Sequence, residues 1–193
     1  MGKIRLNLNT LYIGAAIVTV GAVLIVFLSE LGGVWINGIS YLASDVEDYH
    51  NNAHAVEGKY KVEIDLSDLE SNKGKVLFDD GENRIYVSRV IVKNGPEYEV
   101  FFRSSGTFSL GGATLVSGVD HTHEEFRAEA KATYSGKSYK ISQSDYSGLK
   151  YRNGDEFGFY LFPPEEDIDV DLEEESMIEV TVENLYVNLW AEK

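Results

Sequence analysis

Cysteine is absent from this 193-residue chain, and proline occurs only three times. Without thiols there is no disulfide framework, no cysteine nucleophile, no zinc–thiolate site and no iron–sulfur cluster. A second absence is local. The chain holds 32 Asp and Glu residues, yet none precedes Glu30, and Lys3 and Arg5 are the only charges before it. The formal net charge of −15 is therefore an average over two unlike parts. The first 29 residues are weakly basic, and the remainder carries 15 basic and 32 acidic residues. Such a division implies two different solvents.

Other absences narrow the function. A strongly acidic chain lacks the clustered basic face that nucleic-acid phosphates require, so no nucleic-acid partner is expected. Hydrophobic residues at 44% and aromatics at 12% exclude a disordered chain. There is no Gly-x-Ser-x-Gly elbow, no phosphate loop and no His-Glu-x-x-His. No Asn-x-Ser/Thr acceptor occurs.

What is present begins with a long apolar run. From Leu6 to Ser29 no residue is charged, and Leu11–Leu28 is almost purely apolar. A helix rises about 1.5 Å per residue, so about 20 residues cross a hydrocarbon core of about 30 Å. The run is apolar on every face, as a lipid-facing helix must be. Gly14 and Gly21 suit a membrane helix better than a soluble one. The competing reading is a cleaved signal peptide, which shares the basic start. Signal peptides have shorter apolar regions and a small-x-small cleavage site close behind. Here Ser29-Glu30-Leu31-Gly32-Gly33-Val34-Trp35 follows, without that pattern. An uncleaved anchor is the better fit. Lys3 and Arg5 before the span and Glu30 after it place the N-terminus in the cytoplasm by the positive-inside rule.

The expected organisation is a cytoplasmic tail over 1–10, a transmembrane signal anchor over 11–29, a partly helical stalk over 30–58 and an extracytoplasmic β domain over 59–193. Within the stalk, Trp35, Ile39, Leu42 and Val46 recur at helical spacing, which predicts a short amphipathic helix over about 35–50. A flexible linker is the alternative. Gly32-Gly33 marks the expected break between span and stalk. Trp35 and Tyr41 fall just past the membrane edge, where amphipathic aromatics anchor.

Beyond residue 58 the sequence is written in period two. Tyr60, Val62, Ile64 and Leu66 alternate with charged residues, and Phe126 to Tyr134 alternates likewise before the Ser135-Gly136-Lys137 turn. Nine or ten short strands between glycine-bearing turns predict a mainly β domain, an antiparallel sandwich of jelly-roll or immunoglobulin-like type. The cysteine pair and central tryptophan of antibody domains are missing.

Three constellations could carry chemistry. The four histidines form two close pairs, His50 with His54 and His121 with His123. On a helix the first pair shares a face, and on a strand the second does, so either pair could offer two imidazoles to a divalent zinc or copper ion. Asp120, Glu124 and Glu125 could add a carboxylate. The second constellation is the run from Glu165 to Glu175, where Asp167, Asp169 and Asp171 at spacing two could offer oxygen ligands to calcium. It lacks the glycine and terminal glutamate spacing of an EF-hand, and a solvated acidic loop explains it as well. The third is a serine–histidine arrangement such as Ser104-Ser105 with His121 and some aspartate, for which spacing carries no information. The tyrosines Tyr134, Tyr139, Tyr146, Tyr151 and Tyr160 could form a recognition surface.

The reading favoured by the sequence is a membrane-anchored, non-enzymatic binding, assembly or accessory module with no cofactor. Its expected partner is a basic protein surface, another envelope component or a cation rather than anionic lipid, which an acidic domain should repel. A divalent-metal-binding domain is the first alternative, and an envelope hydrolase is the second.

Overall fold

The computed structural model describes residues 8–44, 47–93, 97–163, 168 and 170–193. Lys3, Arg5, Asp45, Val46, residues 94–96, Glu165, Glu166, Asp167 and Asp169 lie outside those residues.

The chain begins with helix α1, Leu8–Asn37, followed by the short helix α2, Ile39–Ser44. Strands then dominate. The last of them, β13 (Met177–Glu192), organises the first sheet. Strand β1 (Tyr49–Asp65) pairs with it antiparallel from Tyr49↔Glu192 to Asp65↔Met177. A strand has two hydrogen-bonding edges, so all other pairings of β13 fall on its second edge. There β9 (Glu129–Tyr134) takes Glu179–Glu183, and β6 (Gly112–Ser117) takes Tyr186–Ala191. Strand β10 (Lys137–Ile141) extends β9, and β5 (Thr107–Ser109) extends β6. The second sheet has the order β11 (Gln143–Tyr146), β12 (Glu156–Tyr160), β4 (Tyr98–Ser105), β3 (Arg84–Val92) and β2 (Val76–Asp79). A short hairpin of two-residue strands, β7 (Val119–Asp120) with β8 (Glu125–Phe126), lies beside them. Every described pairing is antiparallel, and the two sheets form a sandwich-like arrangement, as the period-two pattern predicts.

Alternation explains the core. Val62 and Ile64 of β1 lie opposite Val180 and Ile178 of β13, and all four are buried. Val100 and Phe102 of β4 lie opposite Phe159 and Phe157 of β12. Phe102, Phe126, Phe157 and Phe159 meet with ring centroids 5.5–6.4 Å apart, mostly edge to face, which suits their quadrupoles. The expected hairpin at Ser135-Gly136 forms, with φ of 47° and 71° and Tyr134 paired to Lys137. Two successive left-handed residues give the turn that matches strand twist.

The segment between the apolar run and the first strand differs from the expected stalk helix. Helix α1 continues through Gly32-Gly33 without a break. The break comes at Gly38, whose φ is 59°. Strand β1 then begins at Tyr49, so the helical spacing does not extend to residue 50. Tertiary contacts decide this. A Cβ on Gly38 would fall 1.9 Å from the Arg152 carbonyl oxygen. That carbonyl accepts the Ile39 N–H at 2.9 Å. A side chain on Gly33 would strike the Tyr41 ring. The turn at Gly38 also explains why Trp35 is 71% exposed although Ile39 and Leu42 are buried: the three are not on one continuous helix.

The helix ends are fastened to the first sheet. Val34, Ile39 and Leu42 form a second apolar cluster with Leu115 of β6 and Trp190 of β13. Burying Ile39 and Leu42 contributes about 1.5–3 kcal/mol each before entropy is counted. This cluster needs the outer face of the sheet, and an irregularity in β13 supplies it. At Asn184 (φ 58°), opposite the β1 interruption between Val56 and Lys59, the alternation shifts. Leu185 and Val187 thereby stay on the main core, and Trp190 faces the helices.

Replacing Gly38 by alanine should lower the thermal unfolding midpoint, at a cost of about 1–3 kcal/mol from the left-handed backbone plus the clash with Arg152. Gly32→Ala, where an added methyl meets nothing within 4 Å, is the control and should be neutral or slightly stabilising. Equal effects in thermal melts would contradict the packed turn at Gly38.

Candidate functional site

The histidines separate in space and in role. His121 and His123 fall in the turn between β7 and β8 rather than on a strand, so they do not share a face. The His121 ring turns inward. Its Nε2 lies 2.7 Å from Oδ2 of Asp155, a residue with no solvent exposure just before β12. An ionised carboxylate only accepts, so in that state the contact needs the Nε2–H tautomer. Ser117, at the end of β6, donates its hydroxyl to the same Oδ2 at 2.6 Å, and accepts the Val119 N–H at 3.1 Å. Asn188 of β13 completes the group. Its Oδ1 accepts the His121 N–H at 2.7 Å, and its Nδ2 donates to the Val119 carbonyl at 2.9 Å. One buried network thus ties β6, β7, β12 and β13 together beside Trp190, whose ring lies 6.3 Å from that of His121.

The connectivity decides what this group can do. In a nucleophilic triad the histidine stands between serine and carboxylate, taking the hydroxyl proton. Here the carboxylate stands between serine and histidine. Both contact the same Asp155 oxygen, and the serine hydroxyl donates there rather than to the imidazole. Ser104, weighed with His121 in the sequence, is instead buried, and its N–H donates to the Asp155 carbonyl at 3.1 Å.

His123 points the other way and is largely exposed. Its Nδ1 lies 2.8 Å from Oδ2 of Asp120, whose Oδ1 accepts the N–H groups of Thr122 and His123. Arg127 approaches the same carboxylate and pairs with Glu125. Burial is the largest influence on Asp120 and by itself would raise its pKa. The His123 ring and the two backbone donors together outweigh it and hold the carboxyl below its ordinary value.

His50 and His54 lie on β1, both exposed, opposite Ala191 and Val187. The turn at residues 121–124 touches that strand through the Thr122 hydroxyl, which donates to Asn51 Oδ1 at 2.9 Å. Among the described residues no three His, Asp or Glu side chains are placed to share one ion. Of the carboxylates considered for calcium, Asp167 and Asp169 are outside the described residues. Asp171 is exposed and closes a turn, accepting the Glu173 N–H at 2.9 Å. The tyrosines also scatter. The Tyr134 hydroxyl is internal and donates to the carbonyls of Asp171 and Glu175. Tyr139 packs on the core, and Tyr146 lies near Phe126.

Tyr151 and Tyr160 belong to a surface whose cations sequence reasoning missed. The outer face of the second sheet carries Glu99, Phe101 and Arg103 of β4, alternating with the core residues Val100 and Phe102. Four cations lie over rings there. Arg89 is 4.0 Å from the Phe101 centroid, Arg103 3.0 Å from Tyr151, Arg84 5.8 Å from Tyr86 and Lys93 5.8 Å from Tyr160. Two of the acids that balance them are hidden, whereas Asp79, 3.6 Å from Arg84, is about half exposed. Glu156 takes Arg89 at 2.7 Å and the Ser88 hydroxyl at 2.8 Å, and Glu99 takes Lys93. Glu99 and Glu156 are almost wholly buried, whereas the Arg84, Arg89 and Lys93 side chains are about half exposed. An acidic protein therefore presents cations and aromatic rings on this one face. Donation to the Glu99 carboxylate is the main reason that the Lys93 ammonium holds its proton above the ordinary lysine range.

Comparison with family models, with curated proteins and with solved structures returned no match.

Asp155→Ala should destabilise the fold by about 3 kcal/mol, because Ser117 and His121 would lose their shared buried acceptor. Denaturant titration checks this, and a loss under about 0.5 kcal/mol would contradict the network. Asp120 gives an acid limb. Its folded pKa lies below the unfolded one, so its contribution is complete above pH about 4 and lost as pH falls through the folded value. Asp120→Asn should flatten that part of the stability–pH curve.

Proposed function

We propose that this protein is a single-pass, membrane-anchored binding module without catalytic activity. Its short N-terminal tail lies in the cytoplasm, and its β domain lies outside as an accessory component of the cell envelope. The observation that carries this reading is α1. Its segment Leu11–Asn37 is long and apolar enough to cross a membrane, and none of its most apolar stretch is covered by the rest of the chain. Exposed side chains such as Ile13, Val18, Val23 and Ile25 would be costly in water. A core helix would bury them. The non-enzymatic reading is supported by the Ser117–Asp155–His121 connectivity, which holds strands together and activates no nucleophile.

The recognition surface in this reading is the cation–aromatic face of the second sheet, and its partner is acidic. Arginine over an aromatic ring keeps donors free for a carboxylate while its flat side is occupied. Tethering raises the effective concentration of such a face at the membrane.

Protease protection in sealed cells tests the topology. External protease should digest the β domain and leave a membrane-protected N-terminal fragment of about 3–4 kDa, as a 30-residue span and tail require. Complete protection of the domain would reverse the orientation. Titration of the detergent-solubilised full chain with polyglutamate tests the face. Arg89→Glu and Arg103→Glu together should weaken binding at least tenfold, and equal binding by the variant would sink the assignment.

A further inference from the structure

The helix and the domain are joined without a linker, and this fixes the position of the domain once α1 is taken to span the membrane. The apolar run ends at Leu28, and burial against the domain is under way by Gly33 and Val34. At 1.5 Å per residue those five or six residues span about 8 Å, which is about the depth of one headgroup layer. Helix α1 is unbroken through this interval and anchored at its end by Val34, Ile39 and Leu42. The underside of the domain must therefore meet the headgroups.

The residues at that depth suit the task. Counting from the midpoint of Leu11–Leu28, the Trp35 backbone lies about 23 Å from the membrane centre, and helix side chains lean back toward the N-terminus. That is the outer headgroup level. Trp35 and Ile36 are 71% and 72% exposed, so the domain does not cover them. The Arg152 guanidinium stands between two rings, 5.3 Å from the Trp35 centroid and 5.1 Å from that of Phe108. Its backbone carbonyl is held by Ile39 beside Gly38, which fixes the position of the arginine. Neither Arg152 nor Lys150, two positions before it, forms an ion pair among the described residues. Five residues before Trp35, and about 140° around the helix, Glu30 lines a recess of about 300 Å³ with Asp48, Glu192 and Lys193. The underside thus offers cations on one flank and a mostly acidic recess on the other. A zwitterionic headgroup carries a phosphate and an ammonium at this depth and matches both.

We propose that the β domain is seated on the bilayer, and that Arg152, ordered by Trp35 and Phe108, binds the phosphate of a zwitterionic phospholipid headgroup. This rests on the membrane-anchor reading and adds contact and chemistry to it. The site is local, which is how a strongly acidic domain can still meet lipid phosphate.

Tryptophan fluorescence tests the proposal, because the chain has only two tryptophans and Trp190 is 2% exposed. The full-length protein is reconstituted into phosphatidylcholine vesicles brominated either near the glycerol end of the acyl chains or near their methyl end. Wild-type emission should fall at least twofold more with the shallow bromines than with the deep ones. Trp35→Phe, a change at an exposed position, should abolish the difference and leave the Trp190 background. Arg152→Glu should at least halve the shallow quenching while the thermal melt stays intact; Arg152→Ala, which keeps the backbone contact and adds no repulsion, should fall between. Wild-type emission indifferent to bromine, or Arg152→Glu quenched like wild type, overturns the seat while the anchor stands. Release of the protein from vesicles by alkaline carbonate overturns the anchor itself, and the seat with it.

Discussion

The backbone hydrogen bonding of β13 is the constraint on which the rest depends. This strand pairs with β1 along its whole length on one edge and with both β9 and β6 on the other. Its partners come from the start and the middle of the β region, so no local segment can form this sheet alone. The pairing of Tyr49 with Glu192 closes almost the entire domain. Such closure loses chain entropy before any contact rewards it, which makes the sheet form cooperatively. The irregularity at Asn184 then lets one strand serve two cores, because shifting the alternation turns Trp190 to the helix side while Leu185 and Val187 stay with the sandwich.

That second core makes the helix and the domain one mechanical unit. Gly38 turns the chain where the Arg152 carbonyl approaches too closely for any side chain. The loop bearing Arg152 is held in turn from the sheet side, where the N–H groups of Ser104 and Gly106 donate to the carbonyls of Asp155 and Asn153. The buried Asp155 carboxylate collects Ser117 and His121 a few residues on. The polar network and the helix anchor are thus successive parts of one chain segment. The Nε2 of His121 is thereby tied into the packing between strands.

Charge follows the same division of labour. On the outer face of the first sheet, Lys59 and Lys61 pair with Glu183 and Glu179 across neighbouring strands, an arrangement open to solvent and screened by it. On the outer face of the second sheet the carboxylates of Glu99 and Glu156 are buried and the cations exposed. The net charge of the chain describes neither face.

By itself the sequence determined the elements whose pattern is local. Charge-free length marked the helix, alternation marked the strands, and Ser135-Gly136 marked a hairpin turn, because period and backbone freedom are properties of neighbouring residues. It also brought His121 to notice, since two histidines close together stand out in a chain with four. It was silent on Ser117, Asp155 and Asn188, which reach His121 from 4, 34 and 67 positions away. No spacing rule connects residues joined through different strands. Only the tertiary structure decided that the helix runs through Gly32-Gly33 and turns at Gly38. Glycine permits a turn, but the carbonyl of Arg152, more than a hundred residues distant, demands it. Register likewise decided which alternate residues of β4 face outward, and so gathered cations and rings that the sequence scatters from Arg84 to Tyr160.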